Sequence, residues 1–244
     1  MTSLRRTFPL GRRDVLRILA AAPFTPLVFE GGLAMAEEPA PARPLAYGGE
    51  HQVRPLPFDP ASLTGLSEKL ITSHHQNNYA GAVKRLNLIQ QQIGTLPKDA
   101  APYQMGSLKR EELIATNSML LHEAYFANLG GKGPATGAFA ALAKTAYGSL
   151  DTWEQDFRLT GQSLAGGSGW VIVACDRETK SLHNWWAFDH THGVAAGIPV
   201  LVMDMYEHSY QMDHGANAKG YIDAFFQNVR WDEVNKRLDH LRAE

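Results

Sequence analysis

The chain has 244 residues, 44% of them hydrophobic and 20% charged, and its formal net charge is −2. This composition fits a globular chain with a sizeable core in one or two domains, and it excludes a collagen-like, disordered or cysteine-rich protein. Because Cys175 is the only cysteine, an intrachain disulfide and a cysteine-based zinc site are also excluded. Cys175 ends an apolar run that begins at Trp170, so we expect a packed thiol.

Residues 1–36 have the features of an export signal. A Gly-Arg-Arg run at 11–13 resembles a twin-arginine signal, an apolar run follows at 18–29, and Ala-Met-Ala at 34–36 offers a cleavage site. The apolar run is shorter than the about 20 residues that span a bilayer, so we expect no membrane span. We predict a periplasmic protein, or one otherwise exported by the twin-arginine route; an uncleaved, arginine-rich leader is the alternative.

The charge is unevenly distributed between this signal and the remainder of the chain. The signal contains five arginines against Asp14 and Glu30 and carries +3, which leaves −5 for the rest. A general nucleic-acid binder would show a basic face, so we expect no nucleic-acid partner.

The part of the chain before the first glycine cluster predicts a helical hairpin. Residues 37–61 are rich in Pro and Gly and predict an extended lead-in. Residues 62–94 predict a long helix that ends at Gly94, and a second helix follows over about 107–129 with Ser107 as its N-cap. The Gly-Gly-Lys-Gly-Pro run at 130–134 closes a helical hairpin domain over 62–131.

Residues 132–244 predict a C-terminal α+β domain. Its elements, in chain order, are helices over about 135–147 and 149–160, strands over 170–175, 181–188 and 200–203, and helices over about 217–228 and 231–242. The fold class is therefore α+β: an antiparallel helical hairpin followed by a mixed domain with a small three-stranded antiparallel sheet flanked by helices.

The run from Asp204 to His208 is the most informative motif. It follows an apolar stretch at 198–203, and a carboxylate at the end of a buried stretch must be neutralised. His74 and His122 lie on the apolar faces of the two predicted hairpin helices. Either histidine alone is more often a core residue bonded to a backbone carbonyl, but three imidazoles and one carboxylate together predict a redox metal site with an open position.

Four motifs, in this order and spacing, resemble the iron/manganese superoxide dismutase family over most of residues 62–240. They are His74-His75 followed by the run 83–87, His122-Glu-Ala-Tyr-Phe126, Gly167-Ser-Gly-Trp170 and Asp204-Met-Tyr-Glu-His208. The resemblance implies that superoxide is converted to dioxygen and hydrogen peroxide at one Fe or Mn ion per subunit. It implies the metal ligands His74, His122, Asp204 and His208. It also implies a homodimer or a dimer of dimers, with Glu207 at the interface.

The first metal ligand depends on the alignment. The string beginning at His74 superficially resembles a His-His-Gln that the family carries one turn after its ligand, and that alignment would put Leu70 at the ligand position. A carbon side chain cannot bind a metal, whereas an ungapped alignment through Asn87 makes His74 the ligand. We adopt the ungapped alignment.

A donor to the metal-bound solvent is also implied, and in the family it is a Gln or a His. Ser118 occupies the position of one such Gln, and we assign the role to His190, with His192 as the alternative. The resemblance also implies an aromatic shell around the metal, which residues of this chain match or neighbour: Tyr125, Phe126, Trp170, Trp185 and Trp186.

The access channel departs from the family pattern. Asn78 replaces a channel His, Ala82 replaces a channel Tyr, and Gln211 replaces a Tyr that pairs with that His across the dimer. We predict that Tyr79 supplies a catalytic phenol instead. These departures keep open a second reading, a periplasmic metal-binding homologue with little or no dismutase activity. A zinc hydrolase has less support, because the chain has no His-Glu-x-x-His motif.

Overall fold

A computed structural model describes residues 44–243, with side chains described as far as Leu241. The predicted export signal and the start of the lead-in lie outside the described residues. The described lead-in contains short 3₁₀ turns at Leu45–Tyr47 and Pro60–Ser62, with no regular secondary structure between them. Among the described residues, no helix is both long and apolar enough to cross a membrane.

The first predicted helix is present, but its start at residue 62 was wrong. Helix α1 spans Glu68–Ser73 because Ser67 is its N-cap and the Ser67 side chain accepts a hydrogen bond from the Leu70 N–H. A π-helical segment, His74–Tyr79, follows, and α2 continues over Ala80–Gly94.

The second hairpin helix is longer than predicted. Helix α3 spans Pro102–Ala127, so Ser107 lies inside the helix and the prediction that it caps the helix was wrong. Pro102 occupies the first helical position, where its missing N–H costs nothing. The Gln104 side chain accepts a hydrogen bond from the Ala101 N–H at 3.1 Å. Helices α2 and α3 pack against each other.

The C-terminal part contains the three-stranded antiparallel sheet that the sequence predicts. After α4 (Gly137–Tyr147) and α5 (Leu150–Ser163) come the strands β1 (Trp170–Asp176), β2 (Leu182–Ala187) and β3 (Gly197–Asp204). The order is β2-β1-β3, so β1, which is buried from Trp170 to Cys175, is the central strand. A 3₁₀ turn, Glu207–Ser209, then leads into α6 (Gln211–His214), α7 (Ala218–Gln227) and α8 (Trp231–Ala243). Cys175 is buried in β1, which confirms the packed thiol.

Polar contacts fix the end of β3 against α3. The Asn128 side chain, just after α3, donates to the Val202 carbonyl at 2.8 Å. The Arg237 guanidinium donates to the Asn128 side-chain oxygen at 2.6 Å and to the Val200 carbonyl at 3.0 Å. Strand β3 therefore reaches Asp204 in a fixed register beside the helix that carries His122.

Candidate metal centre

The structure brings together the four side chains that the sequence selects. Their ligand atoms all lie within 4.8 Å of one another. His74 opens the π-helical segment, His122 lies in α3, Asp204 ends β3, and His208 lies in the following 3₁₀ turn. The first three are buried, and the His208 side chain is 27% exposed. Leu70 is buried in the apolar core instead.

The π-helical segment is a local feature that sequence periodicity does not indicate. The Ala80 N–H bonds to the His75 carbonyl, five residues back, where an α-helix would use the residue four back. Such one-turn expansions inside α-helices are frequent at functional sites. Here the expansion begins at His74 itself.

Several hydrogen bonds hold the Asp204 carboxylate and its backbone. The Tyr206 N–H donates to Asp204 Oδ1 at 2.8 Å. The Asp204 carbonyl accepts from the Tyr221 hydroxyl at 2.6 Å and from the Ser209 hydroxyl at 2.9 Å. Since Oδ1 already has a backbone donor, Oδ2 is the oxygen that faces the imidazoles. We did not anticipate the role of Tyr221, because in a helical pattern its ring is indistinguishable from a core aromatic.

The Asp204 Oδ2 atom lies close to all three imidazoles. It is 3.0 Å from His74 Nε2, 3.2 Å from His208 Nε2 and 3.5 Å from His122 Nε2. Oδ2 is within hydrogen-bond distance of the first two nitrogens, but His122 Nε2 has no hydrogen-bond partner, so a further group would complete this contact.

His122 shows what kind of group this is. Its Nδ1 lies 2.6 Å from the Ser118 carbonyl, which can only accept, so Nδ1 carries the proton. In the neutral ring, Nε2 is then an unprotonated acceptor. It is buried without a hydrogen-bond partner, and it faces a carboxylate oxygen that is also an acceptor. A cation between these two acceptors would satisfy both, so the residues present fit a metal ion.

The protonation states favour the same conclusion. Burial, with a further contribution from His74, lowers the pKa of His122 to about 3. Burial also lowers the pKa of His74. Burial alone would raise the pKa of Asp204, but the charge and hydrogen bonds of His208 and the hydrogen bond of His74 keep it well below its ordinary value. Near neutral pH the cluster therefore offers neutral His74 and His122 imidazoles and an ionised carboxylate, which is a suitable donor set for Fe or Mn.

His190 lies beside this cluster. The Trp170 indole N–H donates to His190 Nδ1 at 3.0 Å, so the proton of the neutral His190 ring is on Nε2. The ring centroid is 6.3 Å from that of His122, and the ring stacks on Tyr206 at 4.8 Å. Asn117 fixes the loop by donating to the His190 carbonyl at 2.6 Å.

His192, the alternative to His190, has different neighbours. Its Nδ1 lies 2.7 Å from the Asp189 carboxylate, and its ring lies 4.0 Å from Phe188. With Trp185 and Trp186 it lines a separate cavity of about 470 Å³ that none of the four clustered residues lines. The two tryptophans are 40% and 50% exposed, so including them in the aromatic shell was wrong. Tyr125, Phe126 and Trp170 have ring centroids within 5.2 Å of a clustered imidazole.

Tyr79 is buried, but its hydroxyl is already engaged. It accepts from the Arg54 N–H at 2.9 Å and donates to the Glu123 carboxylate at 3.0 Å. The ring centroids of Tyr79 and His122 are 6.4 Å apart. The catalytic role predicted for Tyr79 stays a prediction. Ala82 is buried in the core.

A group of three imidazoles and one carboxylate, three of them buried and taken from two helices, a strand end and a turn, defines a protein with a mononuclear metal site of the redox type. Comparison with known families gives a match over residues 135–237 to "Iron/manganese superoxide dismutases, C-terminal domain". The chain belongs to the iron/manganese superoxide dismutase family.

The family assignment also rests on individual relatives. The chain is 50% identical over 189 residues to "Superoxide dismutase [Fe]" of Cupriavidus metallidurans, which covers 77% of this chain and 96% of the relative. It is 30% identical over 203 residues to "Superoxide dismutase [Fe]" of Aquifex aeolicus, with 78% and 93% covered. It is 27% identical over 195 residues to "Superoxide dismutase [Mn] 1" of Halobacterium salinarum, with 78% and 96% covered.

Proposed function

We propose that this protein is a superoxide dismutase that converts superoxide to dioxygen and hydrogen peroxide, with one Fe or Mn ion per subunit held by His74, His122, Asp204 and His208. The observation that carries the proposal is the buried His122 Nε2 atom, which faces the Asp204 carboxylate with no donor between them. When bound, the ion supplies the one-electron couple that superoxide dismutation needs. The iron and manganese dismutases among the relatives support both metals.

The surrounding residues control protons and access at this site. Since Trp170 bonds to His190 Nδ1, the Nε2–H is the donor that the neutral His190 ring can offer beside the cluster. Burial lowers the pKa of His190 and favours this neutral, single-donor form. We assign His190 the role of orienting the solvent or substrate molecule that occupies the open position. His208 is the most exposed of the four residues, so we place the entrance for a small anion on its side of the cluster.

The deciding experiment combines elemental analysis with an activity assay. Protein loaded separately with iron and with manganese is expected to retain about one ion per chain and to remove superoxide catalytically. Asp204→Asn is expected to lose both properties, because it replaces the central anionic ligand with a neutral amide. Asp99→Asn, at an exposed loop position, is the matched control. A fully loaded wild-type protein with no more activity than the same concentration of free metal ions would instead identify a metal-binding homologue.

We further propose a homodimer, or a dimer of dimers, with Glu207 at the interface. Glu207 is exposed on the turn that carries His208, so a second subunit placed there would lie next to the metal centre. Sedimentation equilibrium of wild type and Glu207→Ala tests this. We expect a dimeric wild type and a weaker dimer in the variant. A monomeric wild type at micromolar concentration would refute it.

Export by the twin-arginine route is likewise a proposal, supported by the Gly-Arg-Arg run, the apolar run and the Ala-Met-Ala site. Cell fractionation of the full chain, with Arg12 and Arg13 both changed to Lys as the comparison, tests it. We expect wild type in the periplasmic fraction and the double variant in the cytoplasm. Equal distribution of the two would contradict twin-arginine export.

A further inference from the structure

The lead-in runs along α2 and bonds to it at two positions one turn apart. The Asn87 side chain accepts from the His51 N–H and donates to the His51 carbonyl, both at 2.9 Å, much as a neighbouring strand would. One turn further along α2, the Gln91 side chain donates to the Gly49 carbonyl at 3.4 Å. Gly49 has φ +61, and a Cβ there would lie 2.5 Å from the Asn87 carbonyl oxygen, so this close approach requires glycine.

The lead-in reaches the metal-bearing helices at Arg54. The Arg54 N–H donates to the Tyr79 hydroxyl at 2.9 Å, and the Arg54 carbonyl accepts from His75 Nε2 at 2.8 Å. The Arg54 guanidinium lies 3.0 Å from Glu123 Oε2. The lead-in therefore contacts both hairpin helices at this one residue.

Glu123 joins these contacts into one network. The Tyr79 hydroxyl donates to its Oε1 at 3.0 Å, while its Oε2 pairs with Arg54. The Glu123 side chain is 11% exposed, so both oxygens depend on these partners rather than on solvent. A mostly buried carboxylate with two donors resists displacement, because separating it from either donor leaves a desolvated charge.

The position of this network relative to the ligands suggests its purpose. Tyr79 ends the π-helical segment that His74 begins, and Glu123 directly follows His122. The bond from Tyr79 to Glu123 therefore ties together the two helices that carry these two histidines. Release of a bound ion requires at least one imidazole to withdraw, and the tie opposes any withdrawal in which the helices separate.

We propose that Arg54, Tyr79 and Glu123 form a brace that slows metal release from the cluster. Tyr79 acts in it as a positioning residue. This rests on the proposed function, in that the four clustered residues hold the ion. It differs from the prediction that Tyr79 is a catalytic phenol, since a brace also requires Arg54, whose side chain is 75% exposed.

The chain offers a matched control for loss of a contact between the same helices. Arg85 of α2 pairs with Glu111 of α3. This pair joins the same two helices, but its members lie farther in sequence from His74 and His122 than Tyr79 and Glu123 do. Arg85→Ala removes an exposed charge and its pairing with a glutamate of α3, as Arg54→Ala does, without touching Tyr79 or Glu123.

The experiment measures metal release from manganese-loaded full-length protein into excess chelator. We expect Tyr79→Phe and Arg54→Ala to release the ion about tenfold faster than wild type, the effect of losing one hydrogen bond to a charged group. Arg54→Lys is expected to restore part of the retention, and Arg85→Ala to match wild type. The Mn(II) electron paramagnetic resonance spectrum is expected to change in Tyr79→Phe, because the positions of His74 and His122 relax.

Four other outcomes would decide against the brace, each in a distinct way. Release within twofold of wild type in both brace variants would overturn it while leaving the proposed function standing. Equal acceleration in Arg85→Ala would show a general loosening of the hairpin instead. A Tyr79→Phe variant that loses turnover while Arg54→Ala retains both turnover and metal would assign Tyr79 to catalysis. A wild-type protein that holds no ion would overturn the brace and the proposed function together. Should Tyr79→Phe fail to fold, Arg54→Ala alone decides, since it changes an exposed side chain.

Discussion

The metal-free protein is expected to lose stability as the pH falls, and His122 is expected to cause a defined part of that loss. Burial lowers the folded-state pKa of His122 to about 3, from an ordinary value of 6.5 that applies to the unfolded chain. Between these two values the unfolded state binds a proton that the folded state does not. The free energy of unfolding therefore decreases as the pH drops through this window.

The size of this loss in unfolding free energy follows from how far the pH lies below the unfolded-state pKa of His122. Each pH unit in the window contributes about 1.4 kcal/mol. Between about pH 7 and about pH 5, His122 alone should therefore remove about 2 kcal/mol from the free energy of unfolding. That is a large share of the about 5–15 kcal/mol that stabilises a typical domain.

Urea unfolding of chelator-treated protein at about pH 7 and about pH 5 measures this loss. His122→Leu has no titrating group at that position, so its loss over the same interval should be smaller than that of wild type by about 2 kcal/mol. His240→Leu, which removes an imidazole at an exposed position, is the control for histidine removal in general. If His122→Leu and wild type lost equal amounts, the inference that His122 is held neutral in the fold would be refuted.

Three further substitutions test separate parts of the structure. Tyr221→Phe removes the buried donor to the Asp204 carbonyl and should lower the free energy of unfolding by about 1–3 kcal/mol in urea titrations; no change would mean that water replaces the hydroxyl. His190→Leu should keep the ion, by elemental analysis, but reduce turnover at least about tenfold and shift the reduction potential, because the oriented N–H is lost; unchanged turnover would transfer the role to another residue. Arg237→Ala removes three hydrogen bonds from a charged group to neutral oxygens at the α3–β3 junction and should lower the free energy of unfolding by about 3–5 kcal/mol. A calorimetric scan would show this as a large drop in Tm; a small drop would mean that the junction is held mainly by apolar packing.

The sequence pattern predicted the fold class because the periodicity changes sharply after the glycine run at 130–134. The residues at which the helices begin were harder to predict from the sequence. Ser107 was a reasonable cap on residue type, but Pro102 already fixes the first turn of α3. The π-helical segment could not be predicted, because the polar run at 75–78 offers no apolar spacing that would reveal its extra residue per turn.

The candidate site was predictable only in part. Apolar-face histidines and a carboxylate at a strand end are visible in one sequence, but their convergence became an expectation only through the order of the four family motifs. The prediction for Trp185 and Trp186 was wrong because a strand pattern shows that side chains alternate between two faces, but not which other elements cover each face. The brace was not predictable at all, because Arg54 lies in an irregular segment and its bonds to Tyr79 and Glu123 depend on the tertiary path.

The geometry of the cluster connects metal binding to folding. Two buried acceptors, His122 Nε2 and Asp204 Oδ2, lie 3.5 Å apart, so the ion-free fold carries an electrostatic cost that a bound cation removes. Binding free energy therefore contributes to the stability of the fold. Zinc and copper bind nitrogen and oxygen ligands more tightly than manganese or iron(II), so such a site is best filled where those competitors are scarce. A twin-arginine signal, which carries proteins already folded, would let the chain acquire its ion before export, and the brace over His74 and His122 would then retain that ion afterwards.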